Sequence, residues 1–218
     1  MIKFLLDVYL NKIEIINIDS DPYKMSLIET SGYLAMYIGP MYSGKTTKII
    51  QLYKQFKFCN VSTVVINYAE DTRYTNGSVL VTHDKQAIPC SLSTHLHTDF
   101  PLETTSCATY EVYLINEGQF FPDIVDWVKK AIHPPYNKRV YICGLDGDYK
   151  RNVFGNWLDL IAHCDSVEKL TSFCYKCKKR SAIFSHRITP EKQQKMIGID
   201  SYIPLCRMCY DSCFESLL

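Results

Sequence analysis

The sequence predicts an α/β fold, a parallel sheet covered by helices with a small cysteine-rich appendage. Three observations predict it. Short apolar, β-branched runs alternate with helical stretches from Tyr33 to Cys143. A glycine-rich turn joins the first such run to the first helix. After about residue 170 the texture changes to paired cysteines and basic residues.

Each element follows from its pattern. Residues 1–32 mix β-branched residues with Asp-Pro and Ser-Gly breaks and read as an extension, either mobile or docked. Tyr33–Ile38 is an apolar run of the kind a buried strand shows. Residues 46–57 put Ile49, Leu52, Tyr53 and Phe56 on one helical face. Val61–Ile66 and Tyr110–Ile115 read as further strands. Residues 122–132 carry a helical stripe of Val125, Val128 and Ile132, and Arg139–Cys143 is a fourth strand. The expected organisation is an N-terminal extension (1–32), an α/β domain (33–170) and a cysteine-rich unit (171–218).

Composition excludes several classes. At ~150 residues per domain, 218 residues allow one domain plus an appendage. A hydrophobic fraction of 47% against 22% charged residues excludes a disordered or collagen-like chain. The net charge of +1 argues against duplex binding as the main task, so nucleic acid is not the expected partner. The start, Met1-Ile2-Lys3-Phe4-Leu5-Leu6-Asp7, has one basic residue and an interrupted apolar run, unlike a signal peptide. No run of ~18 apolar residues occurs, so no membrane span is expected and the setting is a reduced cytoplasm. The ten cysteines do not form a secreted disulfide pattern.

Residues 39–46, Gly-Pro-Met-Tyr-Ser-Gly-Lys-Thr, fit the G-x-x-x-x-G-K-[ST] phosphate loop. Glycines let backbone N–H groups wrap a phosphate. Lys45 offers a point charge to the β- and γ-phosphates, Thr46 offers a hydroxyl to Mg²⁺, and the following helix turns its positive end to the anion. A metal-side acid is expected at the end of another strand. In Val112–Glu117 that position holds Asn116, a neutral side chain whose carbonyl can still serve a metal-bound water. Glu117 follows at once, where a carboxylate can take a proton from an attacking hydroxyl. Alone, Glu117 also admits the reading of an exposed loop acid.

Cys174-x-x-Cys177 and Cys206-x-x-Cys209 are separated by 28 residues. Two such pairs make a closed four-sulfur site for structural Zn²⁺, as in a zinc ribbon with a long excursion. The other cysteines, Cys213 included, read as buried apolar residues or free thiols.

Taken in order, these motifs resemble the tetrameric, zinc-containing thymidine kinase family, type II, over Tyr33 to Tyr210. Besides the phosphate loop and its Pro-Met pair, the matching stretches are Asp71-Thr-Arg73-Tyr, Thr82-His83-Asp84, Glu117–Asp123, Leu145–Tyr149, Phe154-Gly155, Val167–Thr171, and Tyr202 with Cys206–Tyr210. The resemblance implies a P-loop, RecA-like sheet with a zinc ribbon and a lasso loop, about 185–203, that closes over the nucleoside. It implies transfer of the ATP γ-phosphoryl to the 5′-hydroxyl of thymidine, with deoxyuridine as a further candidate, in nucleotide salvage. Glu117 is the implied general base. Gly39, Met41, Tyr42, Ser43, Gly44, Lys45, Thr46, Thr47, Asp71, Arg73, Asn116 and Gln119 are the implied ATP and phosphate ligands. Met41, Phe120, Leu145, Tyr149, Phe154, Ser185, Met196, Gly198 and Tyr202 are the implied nucleoside ligands. Structural Zn²⁺, Mg²⁺ with ATP, a homotetramer with a dimer as alternative, and feedback by a deoxynucleoside triphosphate complete the expectation.

Three departures accompany the resemblance. Asn116 replaces the family's Asp, Ser185 stands where Thr is usual, and Ile197-Gly198-Ile199 begins a stretch one residue shorter than usual. Two other functions therefore stand beside the kinase. One is a nucleotide-binding relative with weakened catalysis, motivated by Asn116. The other is a P-loop ATPase whose ribbon binds nucleic acid, motivated by Lys176, Lys178, Lys179 and Arg180.

Overall fold

The computed structural model describes residues 31–70, 78–82, 85–195 and 201–215. The expected N-terminal extension falls outside these, apart from Ser31 and Gly32.

The sheet has six strands, all parallel: β1 (Tyr33–Ile38), β2 (Thr63–Tyr68), β5 (Ser91–Ser93), β6 (Val112–Ile115), β7 (Arg139–Gly144) and β8 (Ser166–Lys169). Their spatial order is β5-β2-β6-β7-β1-β8. The sequence predicts four of these. The two it misses are the edges, β5 and β8, short and rich in polar residues, with all four residues of β8 exposed. Edge strands carry little apolar signal for this reason.

The central strands are buried on both faces, as an all-parallel sheet requires. On one face Leu34, Met36, Ile66, Tyr113, Ile115 and Ile142 pack with Trp127 and Val128 of helix α4 (Ile124–Ile132) and with Trp157 of a 3-10 segment (Trp157–His163). On the other, Ala35, Tyr37, Val65, Leu114 and Cys143 pack with Ile49 and Ile50 of helix α1 (Lys45–Phe58). A β3–β4 hairpin (Val79–Val81, Ala87–Pro89) adds Leu80 and Ile88 to this layer. Two single helical turns, α2 (Leu96–Asp99) and α3 (Thr105–Ala108), precede β6.

Several expected bounds shift. The second strand starts at Thr63 instead of Val61, because Asn60 turns at φ 55° and Val61 N–H still bonds Phe56 O at 3.0 Å. The third starts at Val112, because Tyr110 N–H bonds Cys107 O in a turn. The α4 stripe is broader than the expected Val125, Val128 and Ile132, since Ile124, Trp127 and Ala131 are buried too.

Because the strands are parallel, the segments after β1, β2, β6 and β7 all leave the same edge, where open α/β sheets bind ligands. Beyond β8 come two antiparallel pairs: β9 (Ser172–Phe173) with β10 (Ser181–Ala182), and β11 (Phe184–Arg187) with β12 (Tyr202–Leu205). Helix α5 (Arg207–Glu215) follows. Their core is small: Cys174, Ala182, Leu205, Cys206 and Tyr210. A cluster of this size needs a further staple to hold its loops.

Candidate active site

The turn between β1 and α1 carries the residues of the phosphate-loop pattern, 39–46. At Gly39 a Cβ would stand 2.4 Å from Leu170 O, so only glycine lets the loop pass the chain beyond β8. Gly44 (φ 84°) and Tyr42 (φ 63°) adopt left-handed backbone. The first turn of α1 carries no acid to offset its positive end. Lys45 is buried and folds its ammonium back onto the loop, 2.5 Å from Pro40 O and 3.4 Å from Ser43 Oγ. Thr46 is half-buried and Thr47 exposed. Met41 N–H donates to Ser185 Oγ at 2.9 Å, which ties the loop to the base of the lasso.

Asn116 and Glu117 follow β6 inside the protein. Glu117 is only 7% exposed, which removes the reading of an exposed loop acid. Its backbone is left-handed (φ 60°, ψ 47°), a conformation that costs a non-glycine residue about 1–2 kcal/mol. Gln119 explains how the carboxylate is held. Gln119 Oε1 accepts from Leu145 N–H at 3.0 Å, so its amide N–H₂ must face the other way, and Nε2 donates to Glu117 Oε2 at 2.5 Å. Gly155 makes room for this pair: its φ is 67°, and a Cβ there would lie 2.4 Å from Gln119 O.

Asn116 is 2% exposed. Its Nδ2 donates to Asn67 Oδ1 at 2.8 Å, and its Oδ1 accepts from the Cys143 thiol at 3.0 Å and, more weakly, from Thr46 Oγ1 at 3.5 Å. Two hard oxygens, the Thr46 hydroxyl and the Asn116 carbonyl, therefore meet between the first turn of α1 and the end of β6. That donor chemistry suits a small, oxygen-seeking dication.

An aromatic wall stands next to Glu117. Phe120 meets Phe154 edge-on at 5.4 Å and Tyr68 at 5.1 Å between ring centroids. Leu145 lies half-buried between Gln119 and the Trp157 indole, which donates to Leu145 O at 3.1 Å. Tyr149 sits under the lasso: its hydroxyl donates to Lys192 O at 2.9 Å and its ring faces the Arg187 guanidinium at 3.9 Å. Tyr202 is buried, and its hydroxyl accepts from Arg187 Nε at 3.1 Å. Asp71, Arg73, Met196 and Gly198 lie outside the described residues.

Sequence reasoning did not single out Asn67, Tyr68, Cys143, Arg187 or Lys195. Arg187 is 5% exposed and gathers residues 191–194 by donating to Glu191 O at 2.9 Å, to Gln194 O at 3.2 Å and to Gln193 O. Lys195 bonds Tyr68 OH at 3.1 Å and Glu70 Oε2 at 2.5 Å, with its ammonium 4.5 Å from the Tyr68 ring centroid.

The sulfurs of Cys174, Cys177, Cys206 and Cys209 all lie within 4.8 Å of one another, with Cys177 and Cys206 3.9 Å apart. A tetrahedral S₄ zinc site with ~2.3 Å bonds has sulfurs ~3.8 Å apart, so the cluster fits a structural metal such as zinc. Electrostatics agrees. At Cys174 burial opposes the thiolate, but backbone N–H groups of Cys177, Cys206 and Lys176 outweigh it and lower the thiol to about 6. At Cys209 burial, joined by the neighbouring sulfurs, pushes the thiol up to about 12. Four thiolates this close need a cation.

No helix among the described residues is long and apolar enough to cross a membrane. The family model described as thymidine kinase matches residues 32–210. Thymidine kinase 1 of Dictyostelium discoideum is 38% identical over 195 residues, covering 86% of this chain and 82% of that protein. The cytosolic thymidine kinase of Homo sapiens is 37% identical over 183 residues, covering 84% of this chain and 74% of that protein. The thymidine kinase of variola virus is 38% identical over 180 residues, covering 82% of this chain and 97% of that protein.

Proposed function

The chain belongs to the thymidine kinase family, and from that premise we propose that it moves the γ-phosphoryl of ATP to the 5′-hydroxyl of thymidine, giving thymidine monophosphate and ADP. The observation that carries this reading is the buried Glu117 carboxylate, gripped by Gln119 at the sheet edge that also bears the phosphate loop. The family match counts against the two alternatives, a catalytically weakened relative and an ATPase with a nucleic-acid-binding ribbon.

In this mechanism Glu117 Oε1 or Oε2 takes the proton of the 5′-hydroxyl as that oxygen bonds to the γ-phosphorus. The bond from the γ-phosphorus to the bridging oxygen breaks, and ADP leaves with the electron pair. Lys45 moves from Pro40 O onto the phosphates, which offer it a full charge in place of a carbonyl dipole. The loop's N–H groups and the N-terminus of α1 bind the same oxygens. Phosphoryl transfer depends mainly on such positioning and charge. Thr46 and Asn116 would hold Mg²⁺ or its water shell, and the ion would neutralise phosphate charge. Asp71 and Arg73 are the further phosphate-side residues of this reading.

Phe120 and Phe154, with Met41 and Leu145, offer the flat base an apolar slot. Ser185, Met196, Gly198 and Tyr202 belong to the lasso that closes over it, with Tyr149 beneath. Excluding water in this way also suppresses ATP hydrolysis. In this reading residues 33–170 are the kinase body and 171–218 the ribbon and lasso. A four-sulfur zinc site has no open coordination position, so its role is structural. A cytoplasmic location accords with relatives named cytosolic, and a homotetramer is the proposed assembly.

The test is purified chain incubated with ATP, Mg²⁺ and thymidine, with deoxyuridine in parallel. The expected product is thymidine monophosphate. No nucleoside monophosphate across a wide Mg²⁺ range would overturn the proposal.

A further inference from the structure

Neighbouring strands place three side chains in a row at the C-terminal edge of the sheet. Ile66 pairs with Ile115, and Ile115 with Ile142, so the next residues, Asn67 on β2, Asn116 just past β6 and Cys143 on β7, stand side by side. Tyr37 extends the row on β1, as the register partner of Cys143. Asn67 and Cys143 are both buried, at 4% and 1% exposure.

A buried asparagine has two ends of nearly equal shape and opposite function. One is an acceptor and the other a double donor. Which end meets the phosphate loop decides whether Asn116 attracts or repels a cation beside Thr46. Each neighbour favours one answer. Asn67 presents Oδ1, which takes Asn116 Nδ2–H at 2.8 Å. Cys143 presents a thiol that donates to Asn116 Oδ1 at 3.0 Å. Turning the Asn116 amide over would set an N–H₂ group against a thiol sulfur, a weak acceptor, and, unless Asn67 turned with it, a carbonyl against the Asn67 carbonyl. Unfavourable pairings of this kind are costly when buried.

We propose that Cys143 is a positioning residue for the cation of the kinase reaction: its thiol, acting with Asn67, locks the Asn116 amide with Oδ1 turned toward Thr46. The inference rests on the kinase reading above but concerns a separate property, the dependence on divalent cation. Cys143 itself touches neither nucleotide nor nucleoside in this scheme.

The experiment compares wild type, Cys143→Ala, Cys143→Ser and Asn67→Ala. Binding of Mn²⁺ is followed by loss of its free-ion electron paramagnetic resonance signal, with a non-hydrolysable ATP analogue present. Mg²⁺ titrations of thymidine phosphorylation run alongside. Removing one neutral hydrogen bond predicts Mn²⁺ affinity about threefold to tenfold weaker in Cys143→Ala. The Mg²⁺ half-saturation should rise in step, with KM for thymidine unchanged. Cys143→Ser keeps a donor and should restore both, which a purely space-filling role for the sulfur would not produce. Asn67→Ala removes the other lock and should shift Mn²⁺ binding the same way, a check that stands even if Cys143→Ala folds poorly. Unchanged Mn²⁺ binding in both Cys143→Ala and Asn67→Ala, or a Ser variant no better than Ala, would overturn the proposal. An inactive wild type that still binds Mn²⁺ with this pattern would instead count against the kinase reading alone.

Discussion

The Gln119 side-chain amide holds the Glu117 carboxylate at 2.5 Å, while Leu145 N–H holds Gln119 from behind at 3.0 Å. This chain fixes a carboxylate that is buried and set on left-handed backbone. Strain of this kind persists only where its surroundings enforce it. Glu117→Gln keeps the shape and removes the proposed base. Turnover should fall at least ~100-fold, by the usual size of a general-base contribution. KM for thymidine should stay near wild type. Steady-state rates at saturating ATP check this, and a near-normal rate would mean that another group takes the proton.

Asn116→Asp tests the metal side from the opposite direction. A carboxylate there can still accept from the Cys143 thiol, and the Asn67 amide can turn over to donate to it. The added negative charge should lower the Mg²⁺ concentration needed for half-maximal rate. A Mg²⁺ titration reads it directly, and an unchanged curve would count against a metal role at this position.

Arg187 lies 3.9 Å from the Tyr149 ring centroid and bonds Tyr202 and the carbonyls of Glu191 and Gln194, in the segment proposed as the lasso. Arg187→Met keeps much of the apolar bulk and loses every donor. The loop then closes less often in its binding geometry, and the apparent affinity falls with that population. KM for thymidine should rise about tenfold, more than kcat falls, on the scale of one or two charged hydrogen bonds. KM for ATP should change little. Equal loss in both KM values would point to general destabilisation.

Stripping the metal should loosen residues 171–215 before the sheet. The small core of Cys174, Ala182, Leu205, Cys206 and Tyr210 has too little apolar area to stand alone. One zinc per chain should be released by a strong chelator, with four thiols becoming reactive together. Hydrogen exchange should accelerate in β9–β12 and stay slow in β6 and β7. Elemental analysis showing no bound metal in freshly purified protein would contradict the assignment.

Much of this was legible in the chain because the information is local. The phosphate loop is eight consecutive residues between a strand and a helix, and each cysteine pair spans four. The four-sulfur cluster needed only those two local pairs to meet. The edge strands β5 and β8 were illegible because Ser91–Ser93 and Ser166–Lys169 lack apolar alternation. Asn67 and Cys143 became visible only through strand register, since 75 residues separate them in sequence. Arg187 reads as an ordinary loop arginine until β11 and β12 pair and bring Tyr202 beneath it. The αL backbone of Glu117 likewise has no sequence signature, because glycine would be expected there and glutamate stands in its place.

The proposed activity of this site is phosphorylation of a nucleoside by ATP. The most direct measurement follows both products in one reaction of purified protein, ATP, Mg²⁺ and thymidine. Thymidine monophosphate and ADP should form in equal amounts, with both falling together by at least ~100-fold in Glu117→Gln. ADP formed without thymidine monophosphate, at a rate indifferent to thymidine, would contradict it.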